Sequence, residues 1–419
     1  WSDGGQVVPP ADLKFMELVK KVTEIKTMNF ESACTQGLVT MIGTEVDKAY
    51  IDAIKQLTLV KNRSAKIVFS PIHGAGSTNV LPVLKESGFD VTVVPEQEKP
   101  DENFPTASGD LINPEYKEVM ELPLRLAEKT GADLAICSDP DADRIGVAAK
   151  RKLDLNEMQF LTGNEVGIIL TSFILEQLNS QNKLTENSLV IETYVTSTLI
   201  SDIAKSYGIK VVDDLLVGFK FIGEIIEKLE NKEDFVFAAE ESLGYLRGTF
   251  VRDKDAAISS FTLAELASFL KDNNKTVIDY LDEIYTKHSY YKNILNMVEM
   301  RGRVGFENRD KIMRYLRANP PREIAGLPVL KIIDRLPEEK RKPENYICGS
   351  TGDQITFIFS EDGKTRRTAR PSGPAPKITY YIQQQQKVSG DLEYTKKDAD
   401  AIARYLETGL LQMQESILM

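Results

Sequence analysis

Three carboxylates fall at every second position in Asp139-Pro-Asp-Ala-Asp-Arg144, just after an apolar run that ends at Cys137. Carboxylates this close repel one another, and a divalent cation relieves the repulsion. Oxygen-only ligands suit magnesium, calcium or manganese better than zinc. A calcium EF-hand is excluded, because that loop needs Gly at position six and Glu at position twelve, where this chain has Arg144 and Lys150. Magnesium takes few carboxylates and completes its shell with a phosphate, which Arg144 could also bind. The competing reading is a solvated acidic turn. Against it stands the position after a buried strand, where ligands gather in open α/β sheets.

A second cluster has the opposite sign. Arg370-Pro-Ser-Gly373 and Lys377 follow the basic stretch Lys364-Thr-Arg-Arg367. Arg370 offers a planar fork of donors, Ser372 a hydroxyl, Gly373 a backbone N–H open to close approach, and Lys377 a point charge. This is a candidate phosphate dock, weighed against an exposed basic turn. Glu240-Glu-Ser242 offers an acceptor and a hydroxyl two residues apart, suited to neighbouring sugar hydroxyls or, equally, to a helix cap. Arg252-Asp-Lys-Asp255 alternates charge and reads as surface decoration if taken alone. His73, followed by Gly74 and Gly76, reads as a structural hydrogen-bonding residue, since no acidic neighbour in its own loop would activate it.

Composition narrows what these clusters can serve. With 52 basic and 63 acidic residues the net charge is −11, which disfavours nucleic acid and anionic membranes as partners. No apolar run approaches the ~20 residues that span a bilayer, so a soluble protein is expected. Three distant cysteines, Cys34, Cys137 and Cys348, fit a reducing, cytoplasmic setting rather than a disulfide framework. Two histidines, His73 and His288, leave no room for a histidine-rich zinc site. Oligomeric state is not legible.

The elements that must position these groups are alternating strands and helices. Ile67-Val-Phe69, Val91–Val94, Leu134–Cys137 and Ile145–Ala148 read as strands, with helices over 81–85 and 123–129. This implies a parallel or mixed sheet covered by helices. A second such unit follows, with a helix over 164–178, strands at 189, 209 and 235, and helices near 197–206 and 219–229. From about Tyr290 a smaller α+β region follows, dominated by strands such as 354–359 and 379–382 and closed by one helix near 396–407. Phe15, Leu18, Val19, Val22 and Ile25 have helical spacing and predict a helix with one buried face, the tail of a domain whose body lies outside these residues. The expected division is 1–60, 61–160, 161–288 and 289–419: multidomain α/β with mixed sheets, plus a C-terminal α+β domain.

In this order the motifs resemble the α-D-phosphohexomutase family, in its phosphoglucomutase/phosphomannomutase branch. The matching residues are Ser70-Pro-Ile-His-Gly-Ala-Gly76, the acidic loop, Gly218-Phe-Lys220, Glu240-Glu-Ser-Leu-Gly244, Arg252-Asp-Lys-Asp255, and Arg370-Pro-Ser-Gly373 with Lys377. The resemblance implies four domains around a cleft and an enzyme that interconverts hexose 1-phosphate and 6-phosphate, glucose first. The reaction would run through a phosphoserine and a bisphosphorylated sugar. A phosphopentomutase, a sugar-bisphosphate synthase and a non-catalytic sugar-phosphate binder are the alternatives. It further implies one Mg2+ on Asp139, Asp141 and Asp143, with Arg144 and Lys254 as catalytic groups. Gly218, Lys220, Glu240, Ser242, Arg370, Ser372, Gly373 and Lys377 would bind substrate, and sugar phosphates would be the small-molecule partners. Three departures stand out. The family's Thr-Ala-Ser-His-Asn-Pro serine loop is missing, and Thr106-Ala-Ser108 lacks the His-Asn-Pro that should follow. Pro374 and Ala375 replace Thr-Glu in the phosphate loop, and Val217 replaces Thr before Gly218.

Overall fold

The computed structural model describes residues 1–107, 112–300, 302–336, 352–373 and 375–418. Ser108, Cys348 and Pro374 lie outside the described residues. The strands run in chain order as β1 Lys66–Ser70, β2 Asp90–Val93, β3 Leu134–Ser138, β4 Ile145–Lys150, β5 Met158–Leu161, β6 Leu189–Thr193, β7 Lys210–Leu215, β8 Phe235–Glu240 and β9 Gly244–Leu246. In the C-terminal region they continue as β10 Tyr290–Glu299, β11 Glu323–Ile324, β12 Leu327–Pro328, β13 Lys331–Asp334, β14 Ile355–Ile358, β15 Arg366–Pro371 and β16 Lys377–Gln386. The chain forms two compact units. The first comprises Trp1–Leu161, Phe219–Ala238 and Leu243–Thr276; the second comprises Thr162–Gly218, Ala239–Ser242 and Val277–Met419.

In the first unit a mixed sheet has the order β2-β1-β3-β4-β5. β1 pairs in parallel with β2 and β3, and β3–β4–β5 run antiparallel. Val68, Ala135, Cys137 and Ala148 pack on the side of helix Glu121–Thr130. Helix Ala256–Asp272 lies against β3 and β4. Cover on both faces explains why β3 and β4 are buried along their whole length instead of alternating. Asp255 caps helix Ala256–Asp272 by accepting the Ile258 N–H at 2.9 Å, and it also accepts the Tyr50 hydroxyl at 2.6 Å. It is therefore not surface decoration.

In the second unit β6 and β7 pair in parallel beside helices Gly163–Ser180 and Leu199–Ser206. A Thr162–Glu165 capping box starts the longer of these helices. The C-terminal sheet is antiparallel, in the order β10-β16-β15-β14-β13. Its core joins Ile355, Phe357, Ala369, Ile378 and Tyr380 to Ile312, Met313 and Leu316 of helix Gly302–Ala318 and to Ile417 of helix Leu392–Leu418. Helix 302–318 was not expected, because its few apolar residues are diluted by charge. The closing helix also runs well beyond the expected 396–407. Gln383, the first of four consecutive glutamines, exchanges hydrogen bonds with the Thr198 N–H and hydroxyl at 2.9 and 2.7 Å.

One expectation is corrected. The helix near the start spans Ala11–Val19 and buries no residue. Phe15 and Leu18 are 55% and 63% exposed, and Val22 and Ile25, beyond its end, are exposed as well. Helical spacing prepares an apolar face, but burial requires a partner surface, and none covers this face among the described residues. Among the described residues no helix is long and apolar enough to cross a membrane.

Candidate functional site

The acidic loop is the turn between β3 and β4, closed where Ser138 pairs with Ile145. Asp139 turns its carboxylate back into the loop, where Oδ1 accepts the N–H groups of Asp143 and Arg144 at 3.0 and 2.9 Å. Ala142 makes the bend with φ of +57° and donates its N–H to the Asp139 carbonyl at 3.0 Å. Oxygen atoms of Asp139, Asp141 and Asp143 lie within 4.8 Å of one another. Burial is the main force on Asp139 and drives its pKa up to about 7. The backbone N–H of Arg144 opposes that rise, while Asp143 and Asp141 add to it.

Two cations border the triad. Arg144 Nε lies 3.6 Å from Asp143 Oδ1 and 3.8 Å from Asp139 Oδ2. Lys254, whose side chain is 8% exposed, forms an ion pair with Asp143 Oδ2. Gly244 makes room for it, since a Cβ there would sit 2.7 Å from Lys254 Cδ. Among the described residues Asp143 Oδ1 is buried without a hydrogen-bond partner. Converging hard oxygens with one buried oxygen unsatisfied fit a small divalent cation.

The Ser70–Gly76 loop braces this turn from behind. The Ala75 N–H donates to the Pro140 carbonyl at 2.8 Å. A Cβ on Gly74 would lie 2.4 Å from the same oxygen, so the two backbones touch only because position 74 is glycine. Ser70 Oγ donates to Gln97 Oε1 at 2.7 Å and accepts the Ile72 N–H at 3.1 Å. The His73 ring lies 3.1 Å from the Lys99 carbonyl and 2.8 Å from Thr106 Oγ1. This is a structural part, as its sequence context suggested.

The second unit holds the other two clusters. Glu240, buried at the end of β8, accepts the Gly218 N–H at 2.7 Å, and the neighbouring Glu241 accepts the Thr193 hydroxyl at 3.3 Å. Leu243 has φ of +67° and turns the chain back after half-buried Ser242. No helix starts at this loop, so the capping alternative falls away. Arg370, near the end of β15, lies close enough to Tyr381 of β16 to oppose the rise of its phenol pKa. Burial pushes the Tyr381 phenol up, and nearby Glu241 and Glu240 push it further. Tyr381 thus links the sugar-type loop to the basic loop within one unit. Ser372 N–H donates to the Lys377 carbonyl at 2.9 Å, closing the basic turn. Lys220, in the first unit, is paired with Asp12 at 3.0 Å. Arg309 is a residue that motif reading missed. It reaches the carbonyls of Ser372, Gly373 and Ala375 from helix Gly302–Ala318, and 63 residues of separation hid the link.

Residues 48–152 match the family described as phosphoglucomutase/phosphomannomutase, alpha/beta/alpha domain II, and residues 162–288 match domain III of the same family. A phosphoglucomutase of Staphylococcus saprophyticus is 32% identical over 393 residues, covering 90% of this chain and 69% of that protein. One from Staphylococcus aureus is 34% identical over 322 residues, covering 76% and 56%. The chain thus spans between about half and two thirds of the length of these relatives. The structure of parafusin from Paramecium superposes with a TM-score of 0.58 at 18% identity, over 88% of this chain and 62% of that one, which speaks for the fold. By its sequence similarity and its architecture, the chain belongs to the phosphoglucomutase/phosphomannomutase family, the α-D-phosphohexomutases.

Proposed function

We propose that these residues form the metal, sugar and phosphate parts of an intramolecular phosphotransferase that interconverts hexose 1-phosphate and hexose 6-phosphate. Glucose is the favoured sugar. The observation that carries this reading is the Asp139–Asp141–Asp143 triad, with an unsatisfied buried oxygen on Asp143 and with Lys254 and Arg144 at its border. Phosphoryl transfer asks mainly for positioning and charge neutralisation. A magnesium ion on the three aspartates would supply that charge beside the transferring phosphoryl group. Lys254 holds Asp143 and stands ready to exchange a proton with a sugar hydroxyl. Glu240 and Ser242 hold ring hydroxyls in either orientation of the sugar. Arg370, Ser372, Gly373 and Lys377 hold the phosphate that is not reacting, and Gly218 and Lys220 add contacts. On this reading residues 1–60 end a first domain, and 61–160, 161–288 and 289–419 follow as metal, sugar and phosphate domains. The reaction intermediate, a sugar bisphosphate, would also serve as activator.

The family's serine loop is not among these 419 residues. The chain alone should therefore bind hexose phosphates without taking phosphate from them. The test is to incubate it with radiolabelled glucose 1,6-bisphosphate and magnesium, then measure bound ligand and covalent label separately. Saturable binding without label supports the reading. Absence of binding to any hexose phosphate sinks it, and stoichiometric label on Ser108 would put the nucleophile inside this chain.

A further inference from the structure

We infer that Arg309, on helix Gly302–Ala318, is the positioning residue that shapes the Ser372–Lys377 loop for phosphate; the inference rests on the reading of that loop given above. The loop is unusual in its backbone. Pro371, Pro374 and Pro376 have no N–H to give. Ser372 and Lys377 spend theirs inside the turn, on the carbonyls of Lys377 and Ala375 at 2.9 and 2.8 Å. The N–H groups of Gly373 and Ala375 have no acceptor among the described residues. Among the described residues one further backbone bond reaches the turn, from the Met300 N–H to the Pro376 carbonyl at 2.8 Å, so much of its shape is left to side chains.

Arg309 supplies what the turn lacks. Its Nη1 lies 2.6 Å from the Ser372 carbonyl, 3.3 Å from that of Ala375 and 3.4 Å from that of Gly373. The guanidinium is itself fixed. Nε and Nη2 each lie 2.8 Å from Asp310 Oδ1, the Phe306 ring centroid is 5.1 Å away, and only 14% of the side chain is exposed. A trans peptide places N–H and C=O on opposite sides. Drawing the Ser372 carbonyl toward Arg309 therefore aims the Gly373 N–H away from the helix, on the exposed side of the turn. The cation gathers carbonyl oxygens on one face and so leaves a donor on the other, where an anion can sit. Lysine would keep the charge but lose the fork that meets Asp310 and the carbonyls together.

The test titrates the 419-residue chain with glucose 6-phosphate in magnesium by calorimetry and follows hydrogen exchange of the loop amides. In the parent protein ligand should slow exchange at Gly373. R309A should bind about tenfold more weakly and lose that protection, with R309K between the two and with magnesium affinity unchanged. Melting curves show whether R309A is folded; if it is not, R309K carries the measurement, with a threefold or greater loss expected. R370A is the reference. If R370A abolishes binding while R309A and R309K stay within twofold of the parent, the positioning role is overturned and the phosphate dock stands. If R370A also binds like the parent, both fail.

Discussion

The acidic loop of the first unit and the basic loop of the second are both turns between antiparallel strands, yet they are held by opposite means. The acidic loop is fixed by backbone: its own N–H groups clasp Asp139, and the Gly74–Ala75 stretch presses on Pro140. It leaves one buried carboxylate oxygen, Asp143 Oδ1, without a hydrogen bond among the described residues. Among the described residues the basic loop has few backbone bonds, the one from the Met300 N–H to the Pro376 carbonyl among them, and Arg309 reaches three of its carbonyls. A cation site needs its oxygens fixed before the ion arrives, because like charges must be kept together against repulsion.

The largest effect should come from the ligands themselves. Asp141→Asn removes one of three carboxylates without altering the fold. Magnesium affinity should fall by more than the ~10–100-fold that an outer-shell partner typically costs. An affinity unchanged by calorimetry would show that the triad is only an acidic turn.

A pair of alanine substitutions separates the two loops directly. Gly74→Ala drives a Cβ to 2.4 Å from the Pro140 oxygen, whereas at Gly373 a Cβ meets nothing within 4 Å. The first should cost about 1–3 kcal/mol of stability, as overpacking does, and should weaken magnesium binding. The second should stay within about 0.5 kcal/mol. Equal chemical-denaturation midpoints for the two variants would erase the contrast.

The smallest effect is pH-dependent. The second unit buries a carboxylate of its own, Glu192, which bonds the Ser201 hydroxyl and whose pKa burial raises from its ordinary 4.5 to about 8. Between those values the folded state keeps a proton that the unfolded chain has released. This group's contribution to stability is therefore full below pH 4.5 and is lost as pH rises to about 8. Glu192→Gln cannot ionise, so its melting temperature should exceed the parent's by a margin that grows from pH 5 to pH 8. A constant margin would mean that Glu192 stays charged, compensated within its pocket.

Much of this was legible in the linear chain, for a physical reason in each case. The acidic loop, the basic loop and the Glu240 loop are contiguous, and contiguous residues share a turn whatever surrounds them. Strands such as Leu134–Cys137 announced themselves because a sheet covered on both faces demands an unbroken apolar run. Helix Gly302–Ala318 did not, because only a few of its residues touch the core.

What only the tertiary structure decided were contacts between residues far apart in sequence. Asp143 with Lys254, Pro140 with Gly74, Glu240 with Gly218 and Arg309 with Ser372 are such pairs. No local periodicity encodes them, since each depends on where a sheet or helix carries a side chain after folding. The same holds in reverse for Phe15 and Leu18. Their spacing forms a helix from local energetics alone, but whether an apolar face is buried is settled by what packs against it.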